Sequence, residues 1–194
     1  MPEKNLKIIT IENKQDEKFL RKKTIHFDFS KMDKKELAEL IKNMRKMMTE
    51  SNGVGLSANQ IGLNMQLFVA QLPSSQINTD KKTDEHGYNI HINTRSYKPK
   101  SVSDKFYAIF NPEIIKFSDK KISIEEGCLS VPGLYGVVER PEKITITGQD
   151  KNARKIKIKV VGMLARVFQH ETDHLNGILF IDKCDKLYKM KDIK

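Results

Sequence analysis

Only two cysteines, Cys128 and Cys184, occur in 194 residues, too few for a disulfide framework, so a reducing compartment is expected. Aromatic side chains make up 7% of the chain and are not interleaved with its basic residues as on a base-stacking surface, so direct sequence-specific nucleic-acid binding is not expected. No run approaches the roughly 20 apolar residues that cross a bilayer, so no membrane role is expected. The opening stretch MPEKNLKIITIENK also lacks the apolar core of a secretory signal. The expected location is cytoplasmic, or an organelle stroma or host cytoplasm if the gene is organellar or phage-borne, as the abundance of Lys, Asn and Ile allows. There is no internal repeat.

What is present in excess is positive charge. Thirty-five Lys and Arg against 25 Asp and Glu give a formal +10, which favours solubility and attraction to anionic surfaces without specifying a fold. Length and a 38% hydrophobic content fit one domain spanning 1–194. Asp33 to Glu50 carries Leu37, Leu40, Ile41, Met44, Met47 and Met48 at the spacing of one helical face, with Ser30 or Asp33 as cap. Methionine at that spacing reads as core packing. Strands are expected at QLFVAQL, FYAIFNP, EIIKFS, KISIEEG, KITITGQ and KIKIKVVG, and a last helix from Met163 to about Leu175 after a break at Gly162. Residues 73–105 read as a polar loop insertion, with His86 and His91 as exposed loop residues, and 183–194 as a short basic tail.

The chemistry gathers in FQHETDH. His170 and His174 are four residues apart, so on a helix they project one turn apart from one face and can grip a single ion. Glu171 completes the H-E-x-x-H pattern, placed to handle the proton of an activated water. Two histidines do not make a catalytic site, which keeps three protein ligands and one open position. Two familiar peptidase solutions fail: position 180 is Phe180, not histidine, and no glutamate follows Glu171. Upstream, Cys128 in EEGCLSVPG supplies a soft ligand at a strand end, next to Gly127, whose lack of a side chain would bring the backbone close to the site. Cys184 reads as a small buried hydrophobe.

A third stretch, GVGLSANQ, lacks the Lys-Ser/Thr ending of a phosphate loop. Gly53 and Gly55 would instead let backbone approach a peptide-like substrate, and Gln60 would offer an amide donor to a polarised oxygen.

Together, GVGLSANQ, EGCLS and QHETDH resemble, in order and approximate spacing, the three motif segments of peptide deformylases, over about Ser51 to Asp182. The resemblance implies an α+β fold, a small single domain with antiparallel β-sheets around a central helix carrying the HExxH motif. It implies a metal-dependent hydrolase that removes the N-formyl group from the initiator formyl-methionine of nascent polypeptides and releases formate. By that resemblance Cys128, His170 and His174 are the metal ligands and Glu171 the general acid and base. Gln60 and the Leu129 N–H are the oxyanion donors, and Val54 and Gly55 lie along the substrate backbone. Met163, Arg166 and Val167 are placed near the methionine pocket, and Arg140 pairs with Asp173. The chain departs from the pattern at Ser57, where the family commonly has alanine, and at Asn59, where proline is common. Only Leu20-Arg21 resembles the family's opening segment.

Ligand chemistry alone favours Zn2+, whereas the resemblance favours Fe2+, with Zn2+, Ni2+ or Co2+ as other occupants. The partners implied are formyl-methionyl nascent peptides and, weakly, the ribosome, although the family's carboxy-terminal docking helix is nearly absent here. Two other readings use the same residues: an HExxH metallopeptidase, and a non-catalytic metal or ribosome-binding module.

Overall fold

A computed structural model describes residues 6–72 and 105–189; His86 and His91 lie outside them. The first helix, α1 (Lys14–Leu20), begins at Asn13, whose side-chain oxygen accepts from the N–H groups of Gln15 and Asp16. Asp16 and Glu17 in the first turn complement the positive end of the helix dipole. Sequence periodicity missed this helix, because seven residues with one buried apolar position, Leu20, carry no readable stripe.

The long helix α2 (Lys34–Glu50) starts at Asp33, which forms a reciprocal capping box with Glu36. The other candidate cap, Ser30, falls instead in a short 3-10 turn, Phe29–Lys31, closed by Asp28. Leu37, Ile41, Met44 and Met48 are buried, and they pack with Leu56, Leu67, Val69 and Phe110 into one apolar cluster. The methionine stripe is packing.

Among the described residues, eight strands follow in chain order: β1 (Gly55–Ser57), β2 (Leu67–Ala70), β3 (Tyr107–Phe117), β4 (Lys121–Cys128), β5 (Val131–Pro141), β6 (Lys143–Gln149), β7 (Lys155–Val161) and β8 (Leu187–Lys189). They form a five-stranded sheet in the order β1-β2-β3-β6-β7 and a three-stranded sheet in the order β4-β5-β8, antiparallel throughout. The fold is α+β. The two strands expected at 106–112 and 113–118 are one. Proline 112 has no N–H to give to a ladder, yet β3 runs through it, with register irregularities on either side and Asn111 at φ 50. The Asn111 side chain steadies the bulge by bonding Phe27 N, Phe27 O and the Gln149 amide. Strand β5 was not anticipated, since Pro132, Gly133 and Gly136 break its pattern, and β8 uses residues expected to be tail.

The helix α3 (Gly162–Leu175) begins one residue before the expected start. Gly162, at φ 62, gives its N–H to Glu142 O and turns the chain from β7 into the helix in a conformation that a side chain would strain. Leu164, Ala165, Val167, Phe168 and Leu175 pack on Phe68, Ile109, Ile144, Ile146 and Val160 of the five-stranded sheet. Phe168 meets Phe68 and Tyr107 edge-on at 5.3 and 5.2 Å between centroids. The helix is also buried on its polar side, at Arg166, Gln169, Glu171 and His174. Its Arg166 guanidinium reaches Val138 O in β5 and Ile122 O in β4, so the second sheet covers that side. Among the described residues, no helix is long and apolar enough to cross a membrane.

Phe168 anchors α3 on the sheet. Phe168→Ala is expected to lower the unfolding free energy by about 3–5 kcal/mol, read from the urea midpoint at unchanged slope.

Candidate metal centre and active site

Helical spacing and a strand end bring three ligand atoms together. His170 and His174 stand one turn apart on α3, with their Nε2 atoms 3.2 Å from each other. Cys128, the last residue of β4, places Sγ 3.1 Å from His174 Nε2. All three ligand atoms lie within 4.8 Å of one another. Four-coordinate bonds of about 2.0–2.3 Å set ligand–ligand edges of roughly 3.3–3.6 Å; the separations of 3.1 and 3.2 Å are slightly shorter, so a small outward shift of these side chains would seat one tetrahedral cation. Cys184 is not in the group. It packs beside Val131, Val138, Leu179 and Phe180, where burial pushes its thiol pKa up.

The orientation of His170 is fixed by Glu126, which sequence reading did not single out. Side chains two apart on a strand share a face, so Glu126 follows Cys128 into the site, and its position in EEGC was the available signal. Its buried carboxylate accepts from His170 Nδ1 at 3.0 Å, Arg140 Nε at 2.6 Å and Nη2 at 2.9 Å, and Arg166 Nη1 at 2.6 Å. Burial would raise the Glu126 pKa, but the hydrogen bonds from His170 and Arg140 outweigh it and hold the group well below the usual carboxylate range. With Nδ1 held, His170 turns Nε2 to the ligand cluster. Arg140 also donates to Asp173 Oδ2 at 2.7 Å, an oxygen that Lys183 Nζ approaches at 2.6 Å.

Gly127 plays a different part from the one expected. It faces the opposite side of β4 from Glu126 and Cys128, and a Cβ there would meet the Tyr135 ring at 2.7 Å; the close approach is to that ring, not to the site.

Gln60 sits in a buried 3-10 turn, Ala58–Ile61. Its Oε1 accepts from Ser57 N and Ser57 Oγ, both at 2.9 Å. That turns Nε2 towards Ser130 Oγ at 3.2 Å and Cys128 Sγ at 3.5 Å. Leu129 directly follows Cys128 and packs against the α2 cluster.

Glu171 is 3% exposed, and its Oε2 has no hydrogen-bond partner among the described residues. Burial pushes its pKa up to about 7, against the pull of the neighbouring His170 charge and of Ser57. Room for this carboxyl exists because residue 55 is glycine: a Cβ there would overlap Glu171 Oε1 and lie 2.8 Å from Cδ.

Val54, Met163 and Val167 come to one apolar cluster. Arg166 does not join them. It lies one turn before His170 on the polar side of α3, where its guanidinium meets Glu126, Val138 O and Ile122 O.

Residues 6–190 match the sequence profile of a family described as polypeptide deformylase. A peptide deformylase of Chloroflexus aurantiacus is 32% identical over 96% of this chain and 91% of its own. Among solved structures, a probable peptide deformylase from Synechococcus phage S-SSM7 is similar at 37% identity and TM-score 0.69, covering 92% of this chain and 99% of that one. A Met-Ala-Ser-bound class I type b peptide deformylase from Acinetobacter baumannii is similar at 26% identity and TM-score 0.71, covering 92% and 97%.

Removing the Glu126 charge leaves buried Arg166 with carbonyl oxygens in place of a carboxylate, and Arg140 with Asp173 alone. Glu126→Gln is therefore expected to cost about 3–5 kcal/mol of folding stability, measured by chemical denaturation; a loss under 1 kcal/mol would show that the cluster does not depend on this carboxylate.

Proposed function

The chain belongs to the peptide deformylase family and removes the formyl group from nascent polypeptides; on that premise we propose that Cys128, His170 and His174 hold the family's divalent metal and that Glu171 moves the proton. The observation that carries this reading is the convergence of one thiol and two imidazole nitrogens within 4.8 Å beside a buried glutamate oxygen that has no partner among the described residues. An endopeptidase with HExxH would share the histidines and not the thiolate.

When bound, the ion supplies Lewis-acid chemistry, acidifying water and polarising the formyl carbonyl. Glu171 accepts a proton from the attacking water, whose oxygen adds to the formyl carbon. Gln60 Nε2, already turned to the ligand side, and the Leu129 N–H donate to the oxygen on which charge develops. Glu171 then returns the proton to the leaving nitrogen as the C–N bond breaks, giving formate and a free amino terminus. The proton balance closes on one residue.

We assign substrate placement to β1, whose only partner strand among the described residues is β2. An extended peptide can add along such an edge, drawing affinity from its main chain. We assign the backbone contacts to Val54 and Gly55, and the methionine side chain to the apolar wall of Val54, Met163 and Val167, with a Met-Ala-Ser chain, as bound by the Acinetobacter relative, as the model occupant. The resemblance supports Fe2+ as the native ion, with Zn2+, Ni2+ or Co2+ able to occupy the same ligands. It also supports work in the cytoplasm with weak ribosome association.

Chelation is expected to abolish deformylation of formyl-Met-Ala-Ser, and anaerobic Fe2+ to restore it; full activity of the zinc form would overturn the choice of iron. Glu171→Ala should keep its metal and lose roughly 100- to 10,000-fold in turnover. More than a tenth of wild-type activity in that variant would remove Glu171 from the proton transfer. Gly55→Ala pushes a methyl group into the Glu171 carboxyl, so it should lose activity by a comparable factor while metal content, read by elemental analysis, stays at one ion per chain.

A further inference from the structure

The two histidines are not equally supported. His170 lies inside α3 and its Nδ1 is held by Glu126. His174 is the next-to-last residue of the helix, and its buried Nδ1 has no partner among the described residues. Its ring is therefore aimed through its backbone, at the end of a helix where the last carbonyls lack intrahelical partners. The His174 carbonyl accepts from Gly177 N at 2.9 Å, a local cap, and from Asn59 Nδ2 at 2.6 Å, 115 residues away in sequence.

Asn59 is fully buried, and its Oδ1 has no hydrogen-bond partner among the described residues. A half-satisfied buried amide is destabilising relative to an apolar side chain of the same size, so packing does not account for this residue. The bond it does make joins the turn carrying Gln60 to the backbone of His174. A proline at position 59 could not make it.

We propose that Asn59 is a positioning residue for the metal, fixing His174 relative to Cys128 and Gln60 through its carbonyl; this rests on the ligand set proposed above. The consequence is kinetic: with the tie cut, the last turn of α3 loosens and the third ligand releases the ion more readily.

A matched control lies on the next carbonyl of the same helix end, where Thr24 Oγ1 donates to Leu175 O at 2.8 Å. Asn59→Leu and Asn59→Ala, two variants so that one folding failure does not decide the matter, are compared with Thr24→Val after loading each full-length protein with Co2+. Release into excess chelator is followed by the thiolate-to-cobalt absorption band, and the thermal midpoint of each metal-free form is recorded. The Asn59 variants should release Co2+ about 10- to 100-fold faster with an altered band, while Thr24→Val releases at the wild-type rate even where its midpoint falls. Wild-type release from both Asn59 variants, or equal acceleration in Thr24→Val, would overturn the inference. A wild-type protein that binds no Co2+ at all would overturn the ligand set itself.

Discussion

One buried carboxylate ties the two halves of this molecule together. Glu126 stands on β4, accepts from Nε and Nη2 of Arg140 on β5, and receives Arg166 and His170 from α3. Two charged groups taken out of water are costly unless their geometry and remaining hydrogen bonds are satisfied. Here both carboxylate oxygens accept twice, so the desolvation is offset and three chain segments are locked in one register. Replacing the whole cluster by apolar residues could leave stability unchanged, but it would leave His170 without an orienting partner. The cluster matters more for where the imidazole points than for the free energy of the fold.

The placement of α3 follows from the same division. The helix is buried nearly all round, yet its two sides meet different surroundings. Val167 and Phe168 press on the five-stranded sheet, while Arg166 and His170 meet the three-stranded one. A helix that carried its ligands on a solvent-facing side would leave them to side-chain entropy. Enclosed between two sheets, the ligands have few rotamers to choose from, and the Glu171 carboxyl is pressed against a glycine on β1. The burial that raises its pKa to about 7 is thus a product of the fold, set by how closely β1 approaches α3.

Much of this was legible in the sequence because it is periodic or local. The four-residue interval of His170 and His174, the α2 stripe and the alternation of Ile156, Ile158 and Val160 in β7 each report a single element. What was not legible depends on contacts between elements. Helix α1 is too short to show a period, and β5 is broken in sequence by Pro132, Gly133 and Gly136 but held by its pairing with β4. Arg166 was expected by resemblance near the methionine pocket; its position one turn before His170 puts its guanidinium with Glu126. Glu126 itself was within reach, since alternation places it beside Cys128, but its fourfold role needs both arginines, 14 and 40 residues away.

Two buried arginines beside a proposed dication site look, at first, like an electrostatic error. The count removes the difficulty. Arg140, Arg166 and Lys183 face Glu126 and Asp173, three positive charges against two negative, and a Cys128 thiolate brings the balance to zero. The guanidinium groups are directed into carboxylates and carbonyls, so little of their field is left unopposed at the ligand atoms. Nearby charges belong in the account of a metal site, and here the cations act at one remove: they keep Glu126 ionised, and Glu126 holds His170 Nδ1 so that Nε2 turns towards His174 and Cys128. Removing the arginines to lessen repulsion would therefore loosen His170, because the orientation of its ring depends on the charge they stabilise.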